Sequence, residues 1–138
     1  MVVLPPLDLS SALADHLHSR DLNHMAELSI RIDFGPGQRI GPGKIALLEH
    51  IAALGSISAG GRALSMSYRR AWELIEDLNR LFGKPVVESK SGGRKGGGAT
   101  LTPLGLSLIS RYRAMERAAA AAAESHLQAL KREIAEAP

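Results

Sequence analysis

The sequence predicts a mainly α fold with a small β-sheet: three short helices, a two-stranded hairpin and one long closing helix. Three observations predict it. Apolar residues recur at spacings of three and four from Lys44 to Leu54 and again from Ser67 to Phe82. Two short apolar runs, Pro85–Glu88 and Ala99–Thr102, flank the glycine-rich basic segment Ser91-Gly92-Gly93-Arg94-Lys95-Gly96-Gly97-Gly98. After Thr102-Pro103 the helical spacing resumes and runs unbroken to about Ala135.

The first 27 residues are the least patterned. Leu9, Leu13 and Leu17, extended by Leu22, have the spacing of a short amphipathic helix, whereas Pro5-Pro6 and the scattered His16, His18 and His24 suit a loosely attached end. Leu28 to Phe34 alternates apolar and polar residues, the pattern of a half-buried strand. Gly35-Pro36-Gly37 ends it, and the turn-rich span 35–43 is read as a connection. Ile45, Leu48, Ile51 and Ala52 form the apolar face of the first helix, which Gly55 stops. A second helix runs from Ser56-Ile57-Ser58 to about Leu64, and Ser65-Met66-Ser67 makes a tight turn. Ser67 caps the third helix, whose stripe is Ala71, Ile75, Leu78 and Phe82, broadened by Leu74 and Leu81. Gly83 closes it and Pro85 forbids its extension.

Thr102-Pro103 pairs an N-cap residue with proline at the first helical position. A helix from there to about Ala135 is roughly 50 Å long at about 1.5 Å per residue, more than a domain of this size can cover. Six consecutive alanines, 118–123, favour the helix and permit close approach of a second backbone. The reading is pairing with a second copy along Leu104, Leu108, Tyr112, Met115, Ala119, Ala122, Leu127, Leu130 and Ile134, with His126 at the same seam. An exposed alanine-rich helix in a monomer is the competing reading. The chain thus divides into an N-terminal segment (1–27), a helical domain with its hairpin (28–102) and a dimerisation helix (103–138).

Charge and composition narrow the function. The chain has 138 residues, no cysteine and a formal net charge of +3. Disulfides and thiolate metal sites are excluded. No apolar run approaches the roughly 20 residues that span a bilayer, and Met1-Val2-Val3-Leu4-Pro5-Pro6 lacks the basic start of a signal peptide. A cytoplasmic location without membrane partners is expected. Residues 62–117 hold eleven Lys/Arg against five Asp/Glu, while the other 82 residues hold six against nine. Positive charge concentrated in one region is what a polyanion-binding surface requires; a basic surface that is merely solvated is the alternative.

Three short helices with a tight turn before the third, followed by a two-stranded wing, describe a winged helix-turn-helix, in which the third helix enters the DNA major groove. Arg69 and Arg70 lie in the first turn of that helix, where the helix dipole disfavours cations. Their placement makes sense if DNA approaches this end. With Ser67, Tyr68 and Glu73 they are the candidate groove-facing residues. One arginine would contact guanine O6 and N7 in bidentate fashion and the other a phosphate; the hydroxyls of Ser67 and Tyr68 would reach phosphate oxygens. Trp72 is assigned to the core or an interface. In the wing, Lys90, Arg94 and Lys95 would grip the backbone, and the glycines around them let the chain approach the sugar-phosphate closely. Ordering so many glycines is entropically costly for a purely structural hairpin.

Enzymatic readings are weaker. The glycine segment lacks the G-x-x-x-x-G-K-[ST] and G-x-G-x-x-G patterns. No H-E-x-x-H or carboxylate cluster accompanies the histidines, and His50 falls mid-helix. No enzyme activity and no cofactor are expected. Two other functions compete with DNA binding: a winged-helix protein-interaction module using Trp72 and the long helix, and a small oxyanion-binding sensor using the glycine loop.

Gly55-Ser56-Ile57-Ser58, Ser67-Tyr68-Arg69-Arg70-Ala71-Trp72, Asn79 and the run Gly92-Gly93-Arg94-Lys95-Gly96-Gly97-Gly98-Ala99-Thr100-Leu101-Thr102-Pro103-Leu104-Gly105 together resemble the N-terminal DNA-binding domain of the ModE family of molybdate-responsive bacterial regulators. They are similar, more distantly, to the winged domain of LysR-type regulators. The resemblance covers about residues 28–117. It implies a homodimer on palindromic double-stranded DNA, with Ser67, Tyr68, Arg69 and Arg70 reading or anchoring, Arg94 and Lys95 in the wing, and a dimerisation helix beginning at Pro103. Gly60-Gly61 stands where the family uses small residues to pack the second helix on the third. The family senses molybdate through a C-terminal oxyanion-binding module, for which a chain ending at Pro138 has no room; direct sensing by that route is not expected, and the effector is left open.

Overall fold

The computed structural model describes residues 27–90 and 97–135. Its elements follow in the order β1 (Ile32–Gly35), β2 (Gln38–Ile40), α1 (Pro42–Leu54), α2 (Ile57–Ala63), α3 (Tyr68–Phe82), β3 (Val87–Lys90), β4 (Gly98–Leu101) and α4 (Pro103–Glu133). The fold is mainly α with two small antiparallel hairpins and a long C-terminal helix, a winged-helix-like architecture. The expectations for residues 1–26 lie outside the described residues.

Local chemistry accounts for most of the boundaries. Ser56, Ser67 and Thr102 cap their helices by accepting hydrogen bonds from the backbone N–H groups of Ala59 (3.0 Å), Arg70 (3.0 Å) and Gly105 (3.1 Å). Gly55 and Gly83 end α1 and α3 in the left-handed region, at φ 78° and 68°. Ile45, Leu48 and Ile51 of α1 meet Ala71, Ile75 and Leu78 of α3 in one core, which Val86, Ile109 and Tyr112 complete. Burying each of the isoleucine, leucine and valine side chains among them contributes about 1.5–3 kcal/mol.

The N-terminal strand departs from expectation. Only Ile32–Gly35 forms a strand, and it pairs with Gln38–Ile40 inside the span read as a connection. The turn at Pro36-Gly37 reverses the chain so that Asp33 lies opposite Arg39, with a 3.0 Å ion pair between them. The first helix begins at Pro42, two residues earlier than the apolar spacing indicated, because proline suits the first helical turn. In the second hairpin, Pro85 and Val86 precede the strand. The Val86 N–H donates to the Asn79 side chain (2.9 Å), and the Val86 carbonyl accepts from the Thr102 N–H (3.0 Å). The long helix stops at Glu133, and Ile134 has extended backbone angles (φ −71°, ψ 128°). Ile134 therefore sits beyond the helical stripe to which it was assigned.

Close approach explains three glycines. A Cβ at Gly105 would run into the Val86 carbonyl oxygen, so α4 crosses the start of the wing with no room for a side chain. The pair Gly60-Gly61 does not act as a unit against the third helix. A Cβ on Gly61 would lie 3.0 Å from that of Ala71 in α3, whereas one on Gly60 would meet the Ile51 side chain and backbone in α1. Successive residues of a helix point about 100° apart, so α2 packs on both neighbours at once.

The first part of α4 belongs to the domain. Gly105, Leu108, Ile109 and Tyr112 are buried, and the Tyr112 hydroxyl donates to the Ile30 carbonyl at 2.6 Å. Burial, reinforced by the Glu116 charge, pushes the Tyr112 hydroxyl up to about 12. A hydroxyl with a raised folded-state pKa stabilises the fold fully below the unfolded value of about 10. That contribution is lost as pH rises through about 12. Denaturant titrations across this range should therefore show stability falling with pH in the native protein and falling less steeply in Tyr112→Phe. Equal slopes would assign the alkaline loss to another group.

Candidate nucleic-acid interface

The residues singled out in the third helix share one exposed end of the molecule. Ser67, Tyr68, Arg69, Arg70 and Glu73 are all exposed. Glu73 lies one turn beyond both arginines and faces each of them, with Arg69 Nε 3.4 Å from Oε1 and Arg70 Nη1 3.4 Å from Oε2. Exposed pairs of this kind are worth about 0–1 kcal/mol. The carboxylate orients two guanidinium groups that a stronger anion can readily recruit. Further along α3, Asp77 holds Arg80 at 2.5 Å and Lys44 at 3.7 Å, so positive charge that is lightly held concentrates at the N-terminal turn.

The wing stands beside this end. The β3–β4 register places Lys90 opposite Gly98 and Val87 opposite Leu101. The hairpin is tied to the helical domain at two points: the Ala99 N–H donates to the Gly55 carbonyl (2.8 Å) in the α1–α2 turn, and Asn79 holds Val86. Thr102 closes the base of the hairpin, donating its hydroxyl to the Pro85 carbonyl at 2.9 Å. Between α3 and the wing lies a notch of about 300 Å³, lined by Ser56, Ser58, Tyr68, Trp72, Ser89 and Gly98 among others. Tyr68 and Trp72 meet edge to face in it, their ring centroids 6.2 Å apart. Trp72 is half-buried and packs on the core. Lys90 is exposed at the end of β3, and Arg94 and Lys95 lie outside the described residues.

Along α4 the expected pairing residues separate into two groups. Leu108 and Tyr112 are buried within the protomer, and Leu104 is half-buried against its core. Met115 is exposed, as are Ala122 and Leu130, while Ala119 and Leu127 are partly covered. Met115 and the 56%-exposed Phe34 line an apolar groove of about 270 Å³ between β1 and α4, with Ile32, Phe82 and Leu104.

Several residues of consequence carried no recognised sequence signal. Glu49 is buried in α1 and receives two hydrogen bonds from Arg113, from Nε at 3.2 Å and Nη2 at 2.5 Å; Arg113 Nη1 donates to Glu116 at 2.6 Å. Burial opposes the Arg113 charge, but the bonds to Glu49 and Glu116 outweigh it and hold the guanidinium protonated above its ordinary range. The available hint was a carboxylate at position 49 on the same helical row as Ile45. Asn79 belonged to the motif, and its capture of Val86 is the physical reason for an amide there. Among the described residues, no group of three His, Asp or Glu side chains is arranged to hold a metal ion, and no helix is long and apolar enough to cross a membrane.

Known proteins are similar to this chain in sequence. The chain is 46% identical over 71 residues to the DNA-binding transcriptional dual regulator ModE of Escherichia coli K12, an alignment covering 51% of this chain and 27% of the relative. It is 37% identical over 92 residues to the molybdenum transport protein ModE of Azotobacter vinelandii, covering 67% and 33%. This chain is homologous to ModE-family transcriptional regulators. The molybdenum-pterin-binding protein MopB of Rhodobacter capsulatus is also similar, 42% identical over 100 residues that make up 72% of this chain and 37% of MopB. The chain spans about a third of the length of the curated relatives it matches. No family model matches it.

Proposed function

We propose that this chain is a homodimeric, ModE-like DNA-binding regulator that reads the major groove with α3 and grips the backbone with the wing at 90–98. The observation that carries the reading is the exposed turn Ser67–Arg70, with two lightly held guanidinium groups beside a wing hairpin. A major groove about 12 Å wide admits such a helix end-on, with its first turn at the base edges. Arg69 or Arg70 supplies the bidentate guanine contact and the other a phosphate contact, joined by Ser67 and Tyr68. Glu73 keeps both arginines oriented until DNA replaces it. The regulator works in the cytoplasm, without a catalytic step.

Pairing of two copies is supported by the exposed apolar residues Phe34 and Met115 and by the length of α4 beyond the domain. Contiguous apolar surface of this kind marks contact sites. Because Leu108 and Tyr112 are already buried, the pairing surface begins at Met115 and continues through Ala119, Ala122, Leu127 and Leu130. Two copies related by a twofold axis read a palindrome.

Selection of bound duplexes from random DNA, with the mass of the complex measured in parallel, tests the proposal. It should enrich a palindromic site occupied by two protomers. Recovery of no preferred duplex, together with a stable complex with another protein, would favour the interaction-module reading. Replacing Arg94 and Lys95 by Ala should weaken binding to selected and random duplexes by similar factors. The dependence of affinity on salt should flatten by about 0.9 for each phosphate that is no longer neutralised. Unchanged affinity at physiological salt would remove the wing from the interface.

A further inference from the structure

We infer that the Arg113–Glu49 pair is a positioning device that sets the spacing between the two DNA half-sites. The inference rests on the paired, DNA-reading arrangement proposed above and adds to it a residue pair that touches neither DNA nor the second copy. The geometry is that of a joint. Up to Tyr112, α4 is bedded in the domain by Gly105, Leu108 and Ile109. At the last bedded turn, Tyr112 holds the Ile30 carbonyl ahead of the first hairpin, and Arg113 grips Glu49 on α1 through two nitrogens. Glu116 holds the remaining side of the same guanidinium. From Ala114 to Glu133 the helix has no buried residue.

That free part is about 30 Å long at about 1.5 Å per residue. A tilt of about 10° at the joint moves its far end by roughly 5 Å, more than one base-pair step of about 3.4 Å. If two copies meet along this arm, the separation of their reading helices follows the angle at which the arm leaves the domain. A bidentate, planar guanidinium–carboxylate pair restricts that angle in two directions, which a point-charge contact does not. Both partners are nearly inaccessible, with side chains 11% and 2% exposed, so water does not compete for them. The pair is thus built to hold a direction.

The test uses the full chain and a set of duplexes carrying the selected half-sites with spacers lengthened and shortened by single base pairs. The variant is Glu49→Gln with Arg113→Met, which removes both charges of the pair and leaves only the less deeply buried Glu116 carboxylate, 18% exposed, without its partner; Arg113→Lys, which keeps the charge and loses the fork, is the milder second variant. Native protein should prefer its best spacer at least tenfold over spacers one base pair away. The double variant should flatten that preference to under threefold while binding an isolated half-site as the native protein does, and Arg113→Lys should fall between. An unchanged spacer preference in both variants overturns the inference.

An independent measurement needs no DNA. Because the chain has no cysteine, Glu76→Cys and Ala121→Cys accept a pair of spin labels, and dilution with unlabelled protein isolates distances within one chain. The distribution should at least double in width in the double variant. An unchanged width overturns the joint. A native protein that binds no duplex would instead defeat the DNA-reading proposal, and the label distances would still decide whether Arg113 holds the arm.

Discussion

Replacing Arg69 and Arg70 together by Ala should reduce affinity for the selected duplex at least about a thousandfold, with the fold intact. The proposed dimer would lose four guanidinium groups. A bidentate guanine contact is worth about 1–3 kcal/mol, and a charge-assisted phosphate contact is of similar size. Taking about 1 kcal/mol for each of the four groups gives about 4 kcal/mol, close to three decades in the dissociation constant. The side chains are 90% and 58% exposed, so folding stability should stay within about 0.5 kcal/mol of native. Binding isotherms on selected and random duplexes separate the two roles. The single substitution that lowers the ratio of specific to random affinity identifies the base-reading arginine, and the one that lowers both alike identifies the phosphate contact. A double variant that still binds the selected duplex within tenfold of native would end the assignment of α3 as reader.

Arg113→Met should cost about 3–5 kcal/mol of stability, the largest loss expected from a single polar residue here. It leaves Glu49, 2% exposed, as a buried carboxylate without its partner, and breaking a buried pair from one side carries that penalty. Adding Glu49→Gln should recover most of the loss, because the more deeply stranded of the two charges then disappears and only Glu116, 18% exposed, keeps its own. Denaturant midpoints of the two variants give the comparison directly. If the single and double variants are equally destabilised, the loss comes from packing of the long side chain and the electrostatic account is wrong.

The winged-helix order was legible because its signals are local. Ser67 and Thr102 announce helix starts by hydrogen bonds that reach three residues, and Gly55 and Gly83 end helices through their own backbone angles. The arginines at the start of α3 were conspicuous because they oppose the dipole of their own helix. The first hairpin was half legible. Ile32 to Phe34 alternates, but the three-residue strand Gln38–Ile40 is too short to show a period, and its pairing depends on how Gly35-Pro36-Gly37 turns.

The long helix shows where local pattern stops informing. Its stripe of residues at spacings of three and four is continuous, and nothing in the spacing marks where the domain ends and the free arm begins. Leu108 and Tyr112 fall on one side of that division and Met115 on the other only because α1 and the wing pack against the first part of the helix. Periodicity reports which face is apolar; it does not report what covers that face.

The sequence by itself determined the order of helices and wing and the arginine pair in the turn that Ser67 caps. Each follows from interactions within a few residues along the chain. The tertiary structure alone decided which polar groups are buried and paired. Tyr112 finds Ile30 82 residues away, and Arg113 finds Glu49 64 residues away. Such partners are chosen by the packing of whole helices, so no local pattern around either residue names the other.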